Sequence, residues 1–196
     1  MGRPRIAALD DVVIAAMAAF REHGYAATSV RDLETATGLK AASLYQAFGS
    51  KAGLYEAALA RYHLAVVERR ITEHLQPEFG LDGIRSFFSS TYTTEPEPTH
   101  GCLVANGAVE FASISASAQQ QVNAGLRQIR DAFAVHLSAL HAAGELGSID
   151  IDATADALLV LYEGMLVMLR TADSLCVDLD RTINGVLRLI APTGAQ

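Results

Sequence analysis

The sequence predicts an all-α protein, an N-terminal three-helix domain with a helix-turn-helix followed by a larger C-terminal helical domain. Three observations carry this. Alanine and leucine dominate the 196 residues and only five are proline, which favours helix throughout. Apolar residues recur at spacings of three and four in nearly every segment, the repeat of one helix face. Capping and stop residues then divide 24–55 (GYAATSVRDLETATGLKAASLYQAFGSKAGLY) into two short helices and the start of a third.

Taken in order, residues 1–8 form a basic arm in which Arg3 and Arg5 flank Pro4, suited to touching phosphate or a minor groove. Residues 9–23 form a helix through Val12, Val13, Ala16, Met17 and Phe20, with Asp10 and Asp11 in its favourable first turn and Gly24 at its end. Thr28 or Ser29 caps the next helix, which carries Val30, Leu33 and Ala36 on one face and stops at Gly38. Ala41, Leu44, Tyr45 and Phe48 begin the following run. Val30, Leu33, Leu44, Tyr45 and Phe48 are expected to close a three-helix core with the first helix. Ser50 caps a long helix over 51–75 that joins the two domains. The domain boundary is therefore set near residue 50, giving 1–50 and 51–196.

Further helices are expected over 81–93, 102–115, 118–143, 152–173 and 178–191, with a loop at 93–101. The 152–173 helix is apolar nearly all round, and such a helix is buried on both sides. In a domain of this size a partner subunit is the expected cover, giving a homodimer through 152–173 and 178–191.

Charge divides along the chain. Residues 1–75 hold 9 basic and 8 acidic side chains, a net of +1, while 76–196 hold 6 and 14, a net of −8; together they give the overall −7. The acidity thus does not exclude DNA for the N-terminal part. Two cysteines, Cys102 and Cys176, give no disulfide framework, and with no signal peptide or membrane-length apolar run a cytoplasmic location is expected. No metal-ligand, phosphate-loop or nucleophile motif is present, so no catalytic residue, cofactor or metal is expected.

Two helices of about two turns around a glycine-bearing turn are the geometry of a duplex-DNA reader. The candidate contacts are Arg3 and Arg5 of the arm, Thr28 and Ser29 at the first short helix, and Arg31 along it. On the reading helix they are Lys40, Ala41, Ala42, Ser43 and Tyr45, and Lys51 starts the next helix. Lysine offers a charge to phosphate or to guanine, alanine a methyl to thymine, and the hydroxyls donate to phosphate. Tyr45 is balanced between this role and a half-buried place in the core.

In the second domain, Phe87, Phe88, Tyr92, Phe111, Phe133, Tyr162, Met165 and Met168 are candidates to line an apolar pocket, with Asn106 as a polar member and Cys102 as a thiol just after Gly101. Each of the aromatic and Met residues is also an ordinary core residue by type. Glu110 and Glu163 fall on apolar helices, so each is expected to be exposed, paired or facing a ligand. His136 is expected to be satisfied in the core or at the surface.

The motif set resembles the TetR family of bacterial transcription regulators. The match rests on GRPR, on F-x-x-x-G-Y at Phe20 to Tyr25, on T-S-V at Thr28 to Val30 and on the Leu33 to Leu39 run. It continues through K-x-x-S-L-Y-x-x-F at Lys40 to Phe48 and S-K-x-x-L at Ser50 to Leu54. The resemblance implies about nine helices, a homodimer and a C-terminal cavity for a small-molecule effector. It also implies a ligand-responsive repressor that binds a palindromic duplex operator and is released by the effector or by modification of Cys102. GCLVANGAVEFA, Gly101 to Ala112, resembles a segment of a TetR subgroup in which a cysteine is linked to electrophile or oxidant sensing. Gln46 and the Ala41–Ala42 pair depart from common residues at those places and leave the operator sequence open. The alternative expectation is a helical ligand-binding protein without DNA-binding activity.

Overall fold

The computed structural model describes residues 6–92, 101–170 and 177–192, and all of its regular structure is helical. Ten α-helices follow in order: α1 Ile6–His23, α2 Val30–Thr37, α3 Ala41–Phe48, α4 Lys51–Tyr62, α5 Glu68–His74, α6 Gly80–Ser89, α7 Leu103–Val109, α8 Ala116–Ala142, α9 Ile151–Met168 and α10 Leu179–Ile190. A π-helical stretch, His63–Val67, makes α4 and α5 one run; counted so, the described helices number nine. The helix expected over 51–75 is therefore present but interrupted.

The chain forms two compact units. The first comprises 1–66 with 100–125, and the second 67–99 with 126–196. The first unit thus gathers the N-terminal helices together with α7 and the start of α8. The boundary near residue 50 divides the chain by proposed role; compactness divides it elsewhere.

In the first unit the short helices form where their ends are satisfied. Ser29 accepts the Asp32 N–H at 3.2 Å while Asp32 accepts the Ser29 N–H at 2.7 Å, a reciprocal capping box. Thr28 is not the cap: it is buried and its hydroxyl donates to the Gly24 carbonyl. Gly38, at φ 69°, ends α2 in the left-handed conformation that glycine enters without strain. Ser50 caps α4 through the Gly53 N–H. Leu33 and Leu44 point inward against Val12, Val13, Ala16 and Phe20 of the same core, whereas Val30 and Phe48 are half-buried. Tyr45 does not join that core. It is 42% exposed, because one residue beyond Leu44 the helix has turned about 100° away.

The second unit is built around four rings. Phe87 and Phe88 of α6, Phe133 of α8 and Tyr162 of α9 are all buried, with centroid separations of 5.0 to 6.5 Å. Ile129, Leu137 and Leu140, with Ile183, Leu187 and Ile190 of α10, complete this core. Arg130 binds Asp152 at 2.6 Å and Asp156 at 2.8 Å, tying α8 to the first turns of α9.

Several helices end earlier than periodicity alone suggests. The expected 81–93 helix stops at Ser89, where the hydroxyls of Ser89, Ser90 and Thr91 donate back to the carbonyls of Ser86, Phe87 and Phe88 and compete with the helical ladder. The expected 102–115 helix stops at Val109 and continues as a 3-10 turn, Phe111–Ser113, whose Phe111 carbonyl is taken by the Gln119 side chain. The 152–173 helix is Ile151–Met168, and 171–176 lie outside the described residues, as do the arm with Arg3 and Arg5 and the loop over 93–100.

Candidate nucleic-acid interface and effector site

An eight-residue helix is too short to hold itself together, so α3 is rigid only through its attachments. Leu44 anchors it from within. Its first N–H, that of Ala41, is accepted by the Glu34 carboxylate of α2 at 2.7 Å, so the helix before the turn fixes the start of the helix after it. Its last turn closes through the Gly49 N–H on the Tyr45 carbonyl.

This anchoring leaves one face of α3 to solvent. Lys40, Ala42, Ser43 and Tyr45 are exposed and Ala41 is half-buried. Gln46, one residue further along, is also exposed and belongs with this set. In the sequence, Gln46 is marked only by its adjacency to Tyr45; its exposure comes from the structure. Arg31 and Ser29 are exposed on α2, with Ser29 engaged in its capping box. Thr28, expected as a DNA contact, is fully buried with its hydroxyl on the Gly24 carbonyl, so it holds the turn and presents no atom to a phosphate.

Lys51 is half-buried. Its Nζ lies 4.5 Å from the centre of the Tyr25 ring and 3.5 Å from the Ala26 carbonyl. Burial lowers its pKa, with the Glu110 and Asp32 charges opposing that shift. Tyr25 in turn packs on Tyr55 at 4.8 Å and near Phe20 at 6.2 Å. The contact between Lys51 and Tyr25 has no local sequence signature, since 26 positions separate the two residues.

The proposed effector residues divide between the two units. Phe87, Phe88, Phe133, Tyr162 and Met165 are buried together in the second unit. Tyr162 accepts from Arg70 at 2.7 Å, while Tyr92, half-buried, donates to Asp180 at 2.6 Å. Met168 is half-buried near the end of α9. Cys102, Asn106 and Phe111 belong to the first unit. Cys102 is 3% exposed at the N-cap of α7. The amide of Asn106, also buried, donates to the Arg21 carbonyl at 3.0 Å. The four rings pack against one another, so a ligand entering among them must part them.

The second unit also carries an open groove of about 320 Å³ lined by Glu73, His74, Phe79, Asp82, Gly83 and Ser86. None of these was singled out from sequence. Within it the Ser86 hydroxyl and His74 Nδ1 are 2.8 Å apart. His136, expected to be satisfied, is buried and only half satisfied: its Nε2 meets the Gly80 carbonyl at 2.9 Å, while its Nδ1 is buried without a partner among the described residues. Among the described residues no cluster of metal-ligating side chains occurs and no helix is long and apolar enough to cross a membrane.

Comparison with known proteins agrees with this arrangement. A family model described as bacterial regulatory proteins, tetR family, matches residues 13–58, and one described as tetracyclin repressor-like, C-terminal domain, matches 80–178. The HTH-type transcriptional repressor ComR of Escherichia coli is 30% identical over 179 residues, covering 89% of this chain and 85% of that protein. Among solved structures, the reduced form of E. coli NemR superposes with a TM-score of 0.82 at 19% identity, covering 96% of this chain and all of that one. A cysteine-substituted regulator, CifR, complexed with a 26-base-pair double-strand operator, gives 0.77 at 24% identity, with 96% and 100% coverage. At those identities the structural likeness speaks for the fold.

Glu163 of α9 supplies a measurable property of the second unit. Its Oε1 is buried without a hydrogen-bond partner among the described residues, and burial pushes its carboxyl up from 4.5 to about 7. The folded state therefore holds a proton that the unfolded chain releases above 4.5. Stability from this site is greatest below 4.5, falls as pH rises toward 7, and is lowest above it. Glu163→Gln is expected to raise the melting temperature at about pH 8 and to leave it nearly unchanged at about pH 4. Equal effects at both pH values would show that the carboxyl ionises normally.

Proposed function

The chain belongs to the tetR family of bacterial regulatory proteins and is a ligand-responsive, DNA-binding transcriptional regulator; from that premise we propose that it is a repressor, working as a homodimer on a palindromic operator and released by a small molecule. The observation that carries the operator reading is the exposed face of α3. Lys40, Ala42, Ser43 and Tyr45 stand free while Leu44 and the Glu34–Ala41 hydrogen bond hold the helix behind them. Side chains at the start of such a helix reach base edges in the major groove. Repression follows the name of the similar ComR protein, an HTH-type transcriptional repressor.

The homodimer reading has its own support. On α9, Ala153, Ala157, Val160, Gly164 and Val167 are exposed at spacings of four, three, four and three, and Val160 is 72% exposed. On α10, Leu189 is 82% exposed. An apolar stripe with small residues allows two helices to approach closely, and a second copy of the chain is the partner that makes a two-headed reader.

For release, the helical run from Lys51 to His74 is the proposed connection. It starts beside the reading helix, and it passes from the first compact unit to the second between Val66 and Val67, inside the π-helical stretch. π-type turns recur at functional places in helices. A second mode, modification of Cys102, draws support from position alone: Gly101, the preceding residue, accepts the Arg21 N–H at 3.1 Å, and an adduct beside it would strain that contact. At 3% exposure the thiol is reached only when the segment opens.

Three experiments test these readings. Duplexes selected from a random pool by the protein are expected to share an inverted repeat, with Lys40→Ala and Tyr45→Ala each weakening binding by about 1–3 kcal/mol; a pool without enrichment would overturn the operator reading. Val160→Glu is expected to give a monomer by sedimentation and to abolish operator binding, and an intact dimer would remove α9 from the interface. N-ethylmaleimide is expected to release the wild-type protein from its operator and to spare Cys102→Ser; equal release from both would rule the thiol out.

A further inference from the structure

The turn after α1, residues 25–27, offers the N–H groups of Tyr25 and Ala26 side by side. Successive N–H groups of this kind make a small anion-binding nest. A carboxylate already occupies it. Glu110, at the end of α7, accepts the Tyr25 N–H on Oε2 at 2.6 Å and the Ala26 N–H on Oε1 at 2.9 Å. Hydrogen bonds to an ionised acceptor are among the stronger ones proteins make.

The surroundings are shaped for this carboxylate. Gly24 has φ +83°, a backbone conformation that side chains rarely adopt, and a Cβ there would lie 2.9 Å from Glu110 Oε2, so a side chain at this position would be strained and would displace the carboxylate from its seat. Lys51 reaches across the same turn to the Tyr25 ring and the Ala26 carbonyl, and its charge interacts favourably with Glu110. The middle of α7 and the residue pair before it are tied to the last turn of α1: Asn106 donates to the Arg21 carbonyl, and Arg21 donates to the Gly101 carbonyl.

The turn that Glu110 holds leads straight into the reader. Thr28 closes it onto Gly24, Ser29 caps α2, and Glu34 of α2 fixes the start of α3. We propose that Glu110 is a positioning residue for sequence reading: its carboxylate, seated on the Tyr25 and Ala26 N–H groups, sets the angle at which α2 and α3 leave α1. A shift of α7 that withdraws the carboxylate leaves the two helices folded but free to swing, so base contacts are lost before phosphate contacts. The inference rests on α3 being the reading helix.

The test compares specific with non-specific binding, because loss of folded protein lowers both together while loss of aim lowers only the first. The full-length protein, Glu110→Ala and Glu110→Gln are titrated with a duplex selected by the wild type and with a scrambled duplex of equal length and composition. Glu110→Gln keeps one acceptor oxygen and serves if the alanine variant folds poorly. The expected result is a fall in the specific-to-scrambled affinity ratio of about tenfold or more for Glu110→Ala, a smaller fall for Glu110→Gln, and unchanged affinity for the scrambled duplex. In amide spectra the Tyr25 and Ala26 resonances of both variants are expected to move upfield as the charged acceptor is lost. An unchanged ratio, or a parallel loss on both duplexes, overturns the proposal. A wild-type protein that shows no preference between the duplexes refutes the reading of α3 instead.

Discussion

The arrangement depends on one constraint: helices of eight residues do not persist alone. α2 and α3 each have that length, below the ~12–15 residues at which an isolated helix becomes marginal in water. Every feature around them supplies what propensity does not. Leu33 and Leu44 give each helix one inward anchor, and the capping box, the Glu34–Ala41 bond and the left-handed Gly38 satisfy their ends. Because so few side chains are needed for anchoring, the rest of α3 stays available. A reader carrying little net charge gains little from non-specific attraction to phosphate. What it recognises must then come from where α3 points, and pointing is what these attachments control.

The same economy governs the polar groups gathered at the end of α1. Leaving a buried polar atom without a partner costs on the order of 1–3 kcal/mol, so each bond made there helps to hold that helix end. Thr28 and Asn106 are both buried, and both bond to backbone carbonyls of the stretch between Arg21 and Gly24. Glu110 bonds to the next two residues. Three side chains, two of them from a distant part of the sequence, thus converge on one helix end. That convergence makes α7 part of the same compact unit as the DNA-reading helices, although it lies some 50 residues beyond them.

Legibility followed the range of the interaction. The cap at Ser50, the stops at Gly24 and Gly38, and the inward Leu33 and Leu44 are legible because each is decided within a few residues, whereas the choice between Thr28 and Ser29 as the cap of α2 stays open until the structure places Thr28 on Gly24. Tyr45 was ambiguous because an aromatic residue suits both a core and a groove, and only the orientation of Leu44 decides between them. Glu110 was recognisable as a misfit on an apolar helix, but its partners lie 84 and 85 positions away and are backbone groups, which carry no residue-type signal. Helix ends in the second unit were overrun because serine and threonine hydroxyls after Phe88 stop α6 without any glycine or proline to mark the place. The effector candidates rest on residue type, and type alone does not separate a ring that lines a pocket from a ring that fills one.

The second unit faces the opposite electrostatic problem. In the proposed dimer two chains of net charge −7 approach each other, with most of the acidity on the C-terminal side. Apolar contact must outweigh that repulsion, and the exposed stripe of α9 is suited to it because Ala153, Ala157 and Gly164 let the helices come close while Val160 and Val167 fill the gap. The Arg130 bridges to Asp152 and Asp156 neutralise part of the acid at the start of the same helix. Exposed charges more than about 8 Å apart are largely screened at physiological salt, so the repulsion is short-ranged and burial prevails. Salt therefore acts on the two steps in opposite directions: it eases association of the acidic units and weakens phosphate contacts of the reader.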